Sequence, residues 1–172
     1  MAELTIPEGA GAQILSYVRT KAPQWTNAQM VDRVDGALRQ LEAAAFAVPV
    51  ARLGQVPPSE RDWTPLQCIV HVVGINMNTA LRCASVAATG TLVQAAVPEP
   101  PAEREGALAL QRVTLEAVFA TVRAATDDPL AGPPWDHPLL GPLNWREWFL
   151  TLRVHSLGHA DQLTSMAQSF ND

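Results

Sequence analysis

Apolar residues recur along this chain at steps of three and four: Met30, Val34, Leu38, Leu41, Ala45 and Val48 in one segment, Leu108, Leu115, Val118, Val122 and Ala125 in another. That period sets them on one side of an α-helix. No segment shows the sustained alternation of a strand. The helix starts carry their own chemistry. Thr26 with Gln29, Thr64 with Gln67 and Asn144 with Glu147 each place a capping side chain three residues before a Gln or Glu, so that the pair satisfies orphan backbone donors reciprocally. Pro65 follows Thr64 at the first helical position, where its missing N–H is no loss. The pattern predicts long helices near residues 27–48, 64–89, 102–126 and 144–169, and a shorter one near 8–21 that stops before Pro23. The expected fold class is all-α, a four-helix bundle with a short extra N-terminal helix.

The connections VPPSERDW and VPEPPAE are rich in turn formers and long enough to run along the side of a helix, so loop length leaves the topology open. Residues 127–144, DDPLAGPPWDHPLLGPLN, hold five prolines and two glycines and exceed the roughly 2–8 residues usual between bundle helices. Two uses fit. One is a stiffened crossover packing Trp135 and Leu139 over the bundle end; the other is a lid bringing Asp136 or His137 to a site.

A length of 172 residues with 48% hydrophobic content suits one domain with a real core, residues 1–23 forming an N-terminal extension. The net charge of −5 is scattered, with eleven arginines and the single Lys21 spread along the chain. No basic stripe argues for nucleic acid. The start, MAELTIPEGAGAQIL, lacks a cationic stretch followed by an apolar run, and no apolar stretch reaches the roughly 18–20 residues that cross a bilayer. No membrane partner is expected, and the expected location is the cytoplasm. Cys68 and Cys83 stand fifteen residues apart on one predicted helix, about 22 Å along its axis, which excludes a disulfide. They read as small buried hydrophobes. The five tryptophans, at 25, 63, 135, 145 and 148, read as seals at helix starts and bundle ends.

The last predicted helix runs Trp148, Leu152, His155, His159, Leu163, Met166, Phe170 along its apolar line. His155 and His159, four apart, project from one face. A buried imidazole without a partner costs about 1–3 kcal/mol, so both rings need something to bind. A divalent metal takes neutral imidazole; two core histidines bonded to carbonyls or carboxylates would look the same in sequence. Candidates for a third ligand are His71 and His137. His71 belongs to a polar line, Gln67, His71, Gly74, Asn78, that either lines a pocket, with Gly74 leaving room beside the ring, or forms a wet side.

Three stretches, DWTPLQCIVHV, HPLLGPLNWREW and VHSLGHADQL with Gln162 after its HxxxH, resemble in order and spacing the DinB-like (DinB/YfiT) superfamily of small bundle proteins, over roughly residues 26–168. The resemblance implies up-down-down-up connectivity and a metal held by His71, His155 and His159, with water or substrate in the fourth position. His137 matches a loop position of such proteins that lies outside the three ligands. Family members often carry Glu where Gln67 stands, which removes any acid or base role expected there.

Three nitrogens with an open position is the pattern of a catalytic metal site. Zinc suits these ligands; nickel, iron and copper also accept imidazole. Some members of the superfamily look like metal-dependent thiol transferases or isomerases that use a low-molecular-weight thiol such as mycothiol or bacillithiol. The leading expectation is that activity on a small-molecule substrate, in a space bounded by the helices near 64–89 and 144–169. Asn78, Gln162, His137 and Asp161 are the residues expected around it, Asp161 turned away from His159 on the helix. Two further classes fit the residues. One is a non-catalytic, stress-related metal or small-ligand binding protein. The other is a structural homodimer with ordinary core histidines, its N-terminal helix, with Ile14, Leu15 and Val18, packing on the bundle or across the interface. A homodimer is the expected assembly.

Overall fold

The computed structural model describes residues 9–94, 96–128 and 132–171. The expected helix start at residue 8 and residues 129–131 of the proline-rich loop lie outside the described residues. Five α-helices are found among those described: α1 (Ala10–Lys21), α2 (Asn27–Ala47), α3 (Pro65–Thr89), α4 (Arg104–Ala124) and α5 (Trp145–Ser169). All three expected capping boxes are formed, at Thr26, Thr64 and Asn144. Gly90, at φ 68°, ends α3 in the left-handed region that glycine adopts without strain.

The four long helices pack in a ring, with α2 against α5 and α4, and α3 against α4 and α5. The pairing α2 with α5 is the most extensive. Particular contacts fix which ends meet. Arg104 at the start of α4 donates to the carbonyls of Val48 (2.9 Å) and Ala45 (3.4 Å) at the end of α2. At the opposite end, Asn27 opens α2 beside Arg146 of α5 and donates to Ala125 O (3.0 Å), just past α4. Leu66 N bonds Leu53 O at 3.0 Å, tying the start of α3 to the turn after α2. The short α1 packs on α5, with Val18 fully buried.

Buried apolar side chains form two clusters. One holds Met30, Val34, Ala80, Val86, Val118, Val122, Trp145 and Phe149 among others; the second holds Leu41, Ile69, Val72, Met77, Leu108, Leu163 and Met166. Each fully buried Leu, Ile, Met or Phe contributes about 1.5–3 kcal/mol through removal from water. Where the clusters meet lie Asn76 on α3, beside Met77 at the edge of the second, Gln111 on α4, and His155, Ser156 and His159 on α5. A polar layer thus crosses the bundle between two oily halves.

The proline-rich loop departs from the sequence reading. Two three-residue strands, β1 (Trp135–His137) and β2 (Gly141–Leu143), pair antiparallel. Runs this short, with prolines at 138 and 142, leave no alternation to read. Trp135 packs inward as expected, stacked 5.4 Å from Trp148, whose Nε1 donates to Trp135 O at 3.0 Å. Leu139 does not; it is 62% exposed, and Leu140 is the buried one, because the hairpin turn throws Leu139 outward. Gly132 lies against α3 so closely that a Cβ there would meet Val86.

Candidate functional site

The start of α3 lies against the later half of α5, and this brings His71 to His155 and His159. One ring nitrogen from each histidine lies within 4.8 Å of the others. The closest approach is His155 Nε2 to His159 Nε2, 3.1 Å. Ring centroids are 5.8 Å apart for His71 and His155 and 5.3 Å for His71 and His159. The four-residue step on α5 sets the first pair on one face, and His71 arrives from across the helix pair.

Each ring of the α5 pair has a second partner. His155 Nδ1 is 3.2 Å from Asn76 Oδ1, and Asn76, fully buried, donates to Gln111 Oε1 (3.1 Å) and Ser156 Oγ (3.0 Å). His159 Nδ1 is 2.9 Å from Gln162 Oε1, and Gln162 donates to Glu60 Oε1 at 3.0 Å. The Cys68 sulfur lies 3.4 Å from His159 Nδ1 and 3.5 Å from Gln162 Oε1. Trp63 closes the group, edge-on to His71 at 4.9 Å and stacked over His159 at 6.4 Å.

Burial dominates the electrostatics. It pushes His155 down to about 3, helped by the neighbouring imidazoles, and His159 down to about 4 against the opposing pull of Gln162. Burial also lowers His71. At neutral pH the three rings are therefore uncharged, the form that ligates metals. Burial, with the Glu60 carboxylate, pushes the Cys68 thiol up to about 12; it stays protonated and donates to Gln162.

The remaining expected residues fall differently. His137 sits on Trp148, 4.7 Å between ring centres, and its Nδ1 accepts from Leu139 N at 3.1 Å. It lies at the edge of the site, near enough to be one of the imidazoles that depress His155. Gln162 is in direct contact with the cluster. Asn78 is not: half-buried, it takes no part in the hydrogen bonds around the imidazoles, because a seven-residue step from His71 is about 10 Å along the axis. Gln67 is exposed and spent on the Thr64 cap (2.9 Å), and Gly74 faces the ring of Pro100 at 3.7 Å rather than open space beside His71. Asp161 and Asp136 are exposed.

Sequence reasoning missed Asn76, Ser156, Gln111, Glu60, Cys68 as a neighbour of His159, and Trp63 as a wall of the site. Asn76 had a signal: it interrupts the buried stripe Ile69, Val73, Ala80, Cys83 of α3. Glu60 had none, since only the path of the α2–α3 connection brings it to Gln162. A groove of about 440 Å³ opens elsewhere, between α2 and α4, lined by Leu38, Glu42, Leu108, Gln111, Arg112 and Phe119 among others. Gln111 is shared between that groove and the polar layer.

A family model described as the DinB superfamily matches residues 33–163, a span holding all three clustered histidines. No curated protein and no solved structure matches the chain.

Proposed function

The chain belongs to the DinB superfamily, and from that premise we propose that it binds one divalent transition metal through His71, His155 and His159 and presents the metal's open position to a small molecule. The carrying observation is the convergence of three neutral imidazoles whose ligating atoms lie within 4.8 Å of one another. The donor set fits the group. The 3.1 Å between the two Nε2 atoms is close to the roughly 3.4 Å that separates two nitrogens on a tetrahedral zinc. Three nitrogens leave a coordination position free; the Cys68 sulfur lies on the Nδ1 side of His159, 3.4 Å from that atom, outside the group whose ligating atoms lie within 4.8 Å of one another.

The contacts at the helix ends favour up-down-down-up connectivity: α2 and α5 start together, and α4 starts where α2 ends. We read residues 1–172 as one such four-helix bundle domain with α1 as an N-terminal extension. Held by His71, His155 and His159, a divalent ion would lower the pKa of a bound water or thiol. The chain supplies the rest. Trp63 packs on His71 and His159, and His137 at the rim, its Nδ1 occupied by Leu139 N, offers an Nε2–H. This arrangement suits transfer or isomerisation with a low-molecular-weight thiol, in which sulfur bonds to an electrophilic carbon as that carbon's bond to a leaving group, or the π bond of an activated alkene, breaks, and the thiol proton goes to the leaving group or to the far end of the former π bond.

Metal analysis of untagged protein should find close to one transition metal per chain, and His155→Ala should lose it. Full metal content in that variant would reject the ligand set. Incubating the metal-loaded protein with an electrophile and mycothiol or bacillithiol tests the finer reading: thiol consumption no faster than with metal-free protein removes the transferase and leaves a metal-binding protein.

A further inference from the structure

We infer that Asn76 and Gln162 are positioning residues that hold His155 and His159 in their Nδ1–H forms, so that both Nε2 lone pairs converge on one point. The inference deepens the metal reading, and its use rests on that reading. Its main test does not.

Each of the two amides turns its oxygen to a histidine. Asn76 donates through Nδ2 to Gln111 Oε1 at 3.1 Å and to Ser156 Oγ at 3.0 Å. With Nδ2 given to those two acceptors, its Oδ1 faces His155 Nδ1 at 3.2 Å. Gln162 donates through Nε2 to the Glu60 carboxylate at 3.0 Å, and a carboxylate only accepts. Its Oε1 therefore faces His159 Nδ1 at 2.9 Å and takes the Cys68 S–H as well. A carbonyl oxygen has no hydrogen to give. Both Nδ1 atoms must then carry the ring proton, and a neutral imidazole has only one.

The consequence is unusual for a buried pair. His155 Nε2 and His159 Nε2 face each other at 3.1 Å with both lone pairs bare. Left to themselves the rings would avoid this: one would move its proton to Nε2 and donate to the other, and the pair would close as an ordinary internal hydrogen bond. The two amides oppose that rearrangement, since either shift would leave an amide carbonyl facing a bare nitrogen. What distinguishes a cation site from a self-satisfied histidine pair is thus placed one shell out, in residues that touch no metal. The two supports differ in origin. Asn76 is braced wholly by α4 and α5, whereas Gln162 is braced by Glu60 on the α2–α3 connection.

Long-range ¹H–¹⁵N correlation spectra of ¹⁵N-labelled, metal-free protein at neutral pH read the tautomer of each ring directly. Both His155 and His159 are expected as Nδ1–H. Gln162→Leu should move His159 alone to the Nε2–H form, Asn76→Leu should move His155 alone, and the exchange Gln162→Glu with Glu60→Gln, which keeps both the acceptor and the bond between the two side chains, should leave His159 as Nδ1–H. Zinc affinity by chelator competition should fall about tenfold or more in Gln162→Leu and recover in the exchanged pair. Either wild-type ring found as Nε2–H overturns the inference, and so does an unchanged His159 tautomer in Gln162→Leu. Should Asn76→Leu fail to fold, the half-buried Gln162 carries the test alone. Wild-type protein with both Nδ1–H rings and no zinc uptake would cost the metal reading and leave this one standing; zinc uptake with an Nε2–H ring would do the reverse.

Discussion

A histidine held neutral in a protein interior makes stability depend on pH in a definite direction. His155 and His159 sit at about 3 and about 4 in the folded chain, below the ordinary 6.5, chiefly through burial. As pH falls below 6.5 the unfolded chain takes up protons that the folded one refuses. Stability present above 6.5 is therefore lost on acidification, through the window from 6.5 down to about 4 for His159 and about 3 for His155. Each ring contributes up to about 1.4 kcal/mol per pH unit inside its window. Urea titrations of metal-free protein between pH 7 and 5 should show this slope, reduced in a His155→Ala variant; a flat profile would mean that the rings are not held neutral. The histidine pair itself was legible, because a four-residue step on a buried stripe has one geometric meaning. Its partners were less so. Asn76 and Asn78 differ by two positions in one helix, and only the neighbouring helices decide which of them faces inward.

Elements are joined here by a few buried polar side chains. Arg146, 1% exposed, donates to Ala22 O at 2.9 and 3.1 Å, to Trp25 O and Asn27 Oδ1, and to the Asp127 carboxylate at 3.3 Å. One guanidinium thus ties the α1–α2 turn and the segment after α4 to the first turn of α5, a use that its five-donor fork allows. Arg146→Met keeps much of the volume and strands those acceptors. It should cost about 3–5 kcal/mol, read from the urea midpoint, with the histidine cluster more than a helix turn away; a loss under 1 kcal/mol would place the joint elsewhere. Helix limits were legible from caps, since the Thr26, Thr64 and Asn144 boxes act within four residues. The β1–β2 hairpin and the outward turn of Leu139 were not, because three-residue strands in a proline-rich loop are selected by what they pack on, here Trp148 of α5.

At the scale of the molecule, the polar layer divides a core that would otherwise be continuous. Asn76, Gln111 and Ser156 satisfy one another across α3, α4 and α5, and sliding any of these helices by a turn would bury them unpaired. A ligand that binds only the folded form adds RT ln(1 + [L]/Kd), about 2.7 kcal/mol at a hundredfold excess over Kd. Zinc should accordingly raise the thermal midpoint by about 5–10 °C, reversibly with a chelator; no rise would show that the folded interior holds no ion. The fold class was legible because periodicity is local. The ring order was not, since long connections let several circuits close. In the circuit found, the broadest contact joins α2 to α5, helices separated by most of the sequence. A growing polypeptide therefore cannot cover the apolar face of α2 until α5 has left the ribosome. Assembly should be slow for a helical protein of this size.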